Sequence, residues 1–195
     1  MSLGKQAKVL TKHQQNAVFA YIKTTRHPIR NKLIFMLSFR AGLRAKEIAS
    51  LSWGMVTDAE GEITNCITLP NSATKGKSGG VIWLNDELQT LLTEYHQSCV
   101  SPQSGDRVIR SERRCNMAAQ SIVNMFFTWY QRLGFDGASS HSGRRTFITT
   151  CAKKISTVGG SIRDVQTLAR HSSLQMTQRY IDADVDAQKK VVNMV

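Results

Sequence analysis

Five short stretches of this 195-residue chain set reactive side chains where they can handle a phosphate diester and its protons. In AGLRAKEIASLSW, residues 41–53, Arg44 follows a glycine turn at the start of a helix. A guanidinium there can fork onto two phosphate oxygens. Glu47, one turn on, can hold Arg44 in place or form an ordinary i,i+3 surface pair. In SATKGKSGGVIWL, residues 72–84, Lys75 and Lys77 sit at a hairpin tip. Such a lysine can reach into a nucleic-acid groove or protonate a leaving oxygen, and a solvated Lys/Gly turn has the same composition. In SSHSGRRTFITTCA, residues 139–152, His141 and Arg144 stand three apart on one face of a helix start. That pairs a proton carrier with a permanent cation where a helix N-terminus favours phosphate. The fourth and fifth stretches are joined in LARHSSLQMTQRYI, residues 168–181. His171 falls in a turn between two helices and Tyr180 ends the second. Taken singly, a histidine after a helix is usually structural and a tyrosine among apolar residues is usually core.

The elements that must position these groups can be read from periodicity and punctuation. Thr11 caps a helix carrying Ala17, Val18, Ala20, Tyr21 and Ile22. Pro28 starts a second helix with Leu33, Ile34, Met36 and Leu37 as its buried stripe, and Gly42 interrupts it. A short helix follows from Arg44 to Leu51. Residues 63–69 and 81–84 read as short strands separated by turns, forming a small antiparallel sheet between helices. Asn85 or Asp86 caps a helix running to about Ser98, and Asn116 to Leu133 reads as a long amphipathic helix. Helices are expected over Ser142–Lys154, Ile162–Ala169 and Leu174–Tyr180, with a terminal one from about Asp184. The fold class is mainly α with a small antiparallel β-sheet (α+β).

Bulk composition narrows the partner. Lys and Arg number 26 against 14 acids, a net charge of +12, and such a field draws polyanions. The basic residues are spread along the chain, which favours a folded cationic groove over a disordered arm and makes double-stranded DNA the expected partner. No long apolar run suggests a membrane span, and the first residues lack a secretory h-region. Cys66, Cys99, Cys115 and Cys151 form no CxxC pair and read as reduced thiols of a cytoplasmic protein. No Asp/Glu cluster suggests a two-metal site and no P-loop is present, so neither metal, cofactor nor ATP is expected.

In order, the reactive residues form a series: R-x-x-E, a hairpin Lys, H-x-x-R, then a His with a Tyr nine positions later. This series resembles the tyrosine recombinases, the phage integrase family. The neighbourhoods AGLR-x-x-E-I-x-x-L-x-W, H-S-x-R-R-T-F and L-A-R-H-S-S…T-x-x-Y-I are similar to that family's motifs, and the resemblance runs from about Lys8 to about Asp186. It implies the tyrosine recombinase catalytic-domain fold. It also implies a site-specific recombinase or integrase that cuts and rejoins DNA through a 3′-phosphotyrosine. Tyr180 would be the nucleophile, and Arg44 and Arg144 would clamp the non-bridging oxygens. His171 would add a hydrogen bond to those oxygens. Lys75, rather than Lys77, would protonate the departing 5′-oxygen. His141 would assist proton transfer at the tyrosine, and Glu47 would support the site.

The pattern has departures. Arg170 precedes His171 where many members have glycine, and Arg145 follows Arg144 where histidine is frequent; with Lys77, both are expected to add charge against DNA. Residues 1–195 are expected to form a single catalytic domain with a flexible start over 1–7. The N-terminal core-binding domain that most members carry is not expected. Family members assemble as tetramers on DNA, so a monomer or weak oligomer is expected without it. The tail 184–195 is able to exchange between subunits or to pack on its own domain. Two other readings share the pattern: a DNA-binding protein that does no chemistry, and a type IB topoisomerase.

Overall fold

The computed structural model describes residues 6–73, 79–112, 115–181 and 192–193. Several of its helices begin where the sequence supplies a start signal. Thr11 and Gln14 form a capping box at the start of α1 (Lys12–Lys23), with the Thr11 hydroxyl accepting from Gln14 N–H and the Gln14 side chain accepting from Thr11 N–H. Pro28 opens α2 (Pro28–Arg40), where its missing N–H costs nothing. This helix is buried on nearly every side: Asn31 and all of residues 33–39 are inaccessible. A segment buried all round, as 33–39 is, belongs at the centre, and α2 packs against α1, α4 (Asp86–Gln97), α6 (Ser142–Lys154) and the short α3 (Ala45–Ser50).

The sheet has two antiparallel strands, β1 (Cys66–Leu69) and β2 (Gly80–Trp83), in the register Cys66↔Trp83 to Leu69↔Gly80. Ile67, Leu69 and Ile82 turn into the core. The first strand begins three residues later than expected. Ile63 makes an isolated bridge with Thr57, and Thr64 turns back to donate to the Val56 carbonyl. Asn85 caps α4 (Asp86–Gln97) by accepting from Leu88 N–H. The next helix, α5, spans Ala119–Arg132 rather than starting at Asn116, because Asn116 is engaged in a bridge to Arg110.

The last helices carry most of the reactive residues. They are α6 (Ser142–Lys154), α7 (Ile162–Ala169) and α8 (Leu174–Gln178). Gly143 lets α6 lie directly on α2; a Cβ there would stand 2.6 Å from Ser38 Oγ. Beyond that contact a second, smaller core forms from Ile148, Val165 and Ala169, with Phe147, Ile162 and Tyr180 packed on it. The stretch bearing His171 and Tyr180 therefore rests on its own cluster rather than on the main core. Among the described residues no helix is long and apolar enough to cross a membrane.

Candidate active site

Gly42 makes the turn that delivers Arg44. Its φ of +65° lies in the left-handed region, which glycine enters freely, and a Cβ there would meet the Phe147 ring at 2.6 Å. Arg44 then takes the N-cap position of α3 with Glu47 three residues on. The Glu47 carboxylate accepts from Arg44 N–H at 2.8 Å and from Arg44 Nη1 at 2.9 Å. Glu47 is 1% exposed and the Arg44 side chain 28%. The pair is thus a buried carboxylate holding a partly exposed cation, not an ordinary surface pair.

Arg170 completes this cluster, and here the structure corrects the sequence expectation of a cation facing DNA. Its side chain is 5% exposed, and Nη2 donates to Glu47 Oε2 at 2.8 Å. The reason is backbone geometry: α7 ends in a left-handed residue at Arg170, φ +52°, beside the buried Glu47. Burial works to raise the Glu47 pKa. Arg170, the Arg44 N–H and the Arg44 guanidinium outweigh it and hold the carboxyl below its ordinary range.

Arg144, in the first turn of α6, is buried. Its Nη1 donates to the Gly42 carbonyl and its Nη2 to the Ala169 carbonyl. One guanidinium so ties α6 to the turn before α3 and to the end of α7, and the rest of its five N–H donors remain for a ligand. Burial, then the field of Arg44, lowers its pKa to about 10, which still leaves it cationic at neutral pH. His141 is the N-cap residue of α6 and stands exposed. Partial desolvation of its ring and the nearby cations Arg44 and Arg144 lower its pKa, favouring the neutral, proton-accepting form.

His171 follows α7 and is buried. Its Nδ1 lies 3.0 Å from the Thr177 hydroxyl. Burial, then Arg144, Arg44 and Arg170, lowers its pKa to about 4, so the ring is neutral at pH 7. The Thr177 hydroxyl can either donate to Nδ1, which places the ring proton on Nε2, or accept from it. Tyr180 lies two residues beyond α8 rather than ending it. Its carbonyl accepts from Thr149 Oγ1 at 3.3 Å. Its ring stacks on His171 with centroids 5.3 Å apart, and the Arg145 guanidinium lies 5.5 Å from the ring centre. Arg145 also donates to Gln6 Oε1.

Tyr180, His141, Arg144, Arg145 and Arg179 line one cleft of about 330 Å³. A larger cleft of about 450 Å³, lined by Arg26, Arg30, Tyr95 and Cys99, holds none of these groups. The convergence of reactive groups, not size, singles out the smaller one. Lys75 and Lys77 lie outside the described residues, as does most of the tail from Asp184. Among the described residues no group of three or more His, Cys, Asp or Glu is placed to hold a metal ion.

The model of the phage integrase family matches residues 8–186. The chain belongs to the phage integrase family. Its relatives in this family include the tyrosine recombinase XerD of Neisseria meningitidis, 25% identical over 177 residues, which cover 88% of this chain and 57% of that protein. The tyrosine recombinase XerA of Thermococcus onnurineus is 24% identical over 192 residues, 94% of this chain and 61% of its own length. The chain thus spans less than two-thirds of the curated relatives it matches. The integrase-family fold is seen again in a crystal structure of XerA recombinase, with a TM-score of 0.70 and 18% identity over all of this chain and 65% of that one. A XerH site-specific recombinase bound to palindromic difH substrate gives a TM-score of 0.73 and 17% identity over 98% of this chain and 53% of that one.

Several partners in this integrase-family site escaped the sequence reading. Thr177 touches the His171 ring, Thr149 holds the Tyr180 main chain, and Gln6 receives Arg145. Of these only Thr177 carried a signal, since it stands in the T-x-x-Y run.

Proposed function

We propose that this chain is the catalytic domain of a site-specific DNA recombinase, cleaving and rejoining strands through a 3′-phosphotyrosine at Tyr180. The observation that carries the reading is that Tyr180 lines the same cleft as His141 and Arg144 of its own chain, with its ring against His171. A phenol has a pKa of about 10 and needs help to attack at neutral pH. Neutral His141 accepts the Tyr180 proton as the phenol oxygen bonds to phosphorus. Arg44 and Arg144 neutralise the non-bridging oxygens, and His171 Nε2–H donates to the same group, so charge is met where it develops. The bond from phosphorus to the 5′-oxygen breaks, and the 5′-oxygen takes a proton from Lys75. The phosphotyrosine keeps the energy of the broken diester, so rejoining by the 5′-hydroxyl needs no nucleotide and no metal. The net charge of +12 supports a DNA partner, and the XerH relative in fold is bound to its difH substrate. On DNA the active assembly is a tetramer, and without DNA the chain is a monomer or weak oligomer.

The test is a nicked suicide DNA that loses a short strand on cleavage. A protein–DNA adduct that survives denaturation is expected, with the link mapped to Tyr180. Tyr180→Phe should fold, bind DNA and form no adduct; an adduct at the wild-type level in that variant would overturn the assignment.

A further inference from the structure

Arg170 is an expensive residue to keep. It is one of two non-glycine residues with positive φ among the described residues, at +52°, a conformation disfavoured for a side chain with a Cβ. Its Nε and Nη1 are buried with no hydrogen-bond partner among the described residues, a second cost to stability. Neither cost is explained by the fold, since glycine would close α7 in the same conformation without either. What the side chain does achieve, among the described residues, is a 2.8 Å ion pair to Glu47, made with both groups almost fully buried. Glu47 in turn holds Arg44 by its main-chain N–H and its guanidinium. Among the described residues, that is the one hydrogen bond the Arg44 guanidinium makes.

We infer that Arg170 is a positioning residue for strand cleavage: it fixes the Glu47 carboxylate, and through it aims Arg44 at the phosphate. The inference rests on the proposed DNA cleavage and adds a residue to its machinery. The charged groups facing Glu47 are Arg44 from its own helix, Arg170 from the end of α7 and Arg144 from α6. Removing Arg170 leaves a buried carboxylate with one direct cationic partner. Its proton affinity rises, and protonation releases Arg44. The same end of α7 is gripped from the other side by Arg144 through the Ala169 carbonyl. Both phosphate-binding arginines therefore take their orientation from one helix end, Arg144 directly and Arg44 through Arg170 and Glu47.

The experiment compares wild type, Arg170→Gly and Arg170→Lys. Glycine removes the side chain and relieves the backbone; lysine returns the charge. Three quantities are measured: melting temperature, single-turnover adduct formation on suicide DNA between pH 5 and 8, and the carboxyl carbon titration of Glu47 by NMR. Arg170→Gly is expected to fold and to bind DNA as well, melting lower by what the buried ion pair to Glu47 contributes beyond the relieved backbone. Its adduct formation should fall about tenfold at neutral pH, and the acid limb of its rate profile should move to higher pH. Its Glu47 midpoint should rise, and Arg170→Lys should recover most of the rate. Arg170→Gly cleaving at the wild-type rate with an unmoved acid limb would overturn the inference. So would an unmoved Glu47 midpoint. If wild type forms no Tyr180 adduct, the cleavage reading fails on its own, and the Glu47 titration still decides whether Arg170 sets the carboxylate.

Discussion

Replacing Thr177 by valine removes one hydroxyl and keeps the side-chain shape. Thr177 is completely buried, and its Oγ1 lies 3.0 Å from His171 Nδ1. A neutral hydrogen bond of this kind contributes about 1 kcal/mol net. For a chain of this size, that loss lowers the melting temperature by about 2–4 °C. The catalytic effect follows from the tautomer. With a pKa near 4, His171 is neutral at pH 7, so it can donate to a phosphate oxygen only when its proton sits on Nε2. In the proposed mechanism the Thr177 hydroxyl donates to Nδ1 and so holds that form. Losing a bias of about 1 kcal/mol shrinks the competent population by up to about fivefold. The unfastened ring should also swing against Tyr180, whose ring it stacks on. We expect Thr177→Val to form the covalent adduct on suicide DNA about five- to tenfold more slowly at pH 7, with DNA affinity unchanged, and Thr177→Ser to restore the rate. The reasoning is refuted if Thr177→Val melts lower yet cleaves at the wild-type rate. Thr177 would then be a packing residue, and the His171 tautomer would be set by something else.

The depressed pKa of His171 also makes a pH prediction. Its folded value of about 4 lies below the ordinary 6.5, so the unfolded chain binds the proton first. Stability is intact above about pH 6.5 and drains away as pH falls toward 4, by about 3 kcal/mol in all. Thermal melts across that range should show His171→Asn falling less steeply than wild type; parallel curves would refute the assignment. Gly143→Ala should also destabilise, because its Cβ would sit 2.6 Å from Ser38 Oγ and 3.0 Å from Ser38 Cβ. Overpacking costs about 1–3 kcal/mol, against which alanine's better helix propensity returns about 1. Gly143→Ala should therefore melt slightly below wild type and Gly143→Val, bulkier and a poorer helix former, well below both; a Gly143→Val chain melting at the wild-type temperature would mean that α6 is not seated on α2 at this contact.

What the sequence reveals about this site is governed by the kind of partner each residue has. Thr11, Pro28, Gly42 and Asn85 announce helix ends because the signal is local: a hydroxyl, a fixed φ or a missing Cβ acts within a few residues. The main-α class with one small sheet was legible for the same reason. Arg44, His141, Arg144, His171 and Tyr180 stood out by type and order; the fold lines one cleft with His141, Arg144 and Tyr180, stacks His171 on the Tyr180 ring and ties Arg144 to the turn that precedes Arg44. The burial of Arg170 was not legible. It depends on a left-handed backbone at the end of α7 and on a carboxylate 123 positions away in the chain. Nor was the seat of Arg144, since its partners are the carbonyls of Gly42 and Ala169. A carbonyl is carried by every residue, so no side-chain pattern can advertise that it will be the acceptor. The consequence is physical as well as interpretive. A cation held by carbonyls keeps its full charge for an incoming phosphate, whereas one held by a carboxylate is partly neutralised before the phosphate arrives. Arg144 is held in the first way and Arg44 in the second. Of the two arginines we propose to bind the phosphate, Arg144 should therefore contribute the larger uncompensated charge, and Arg44 the more exact placement.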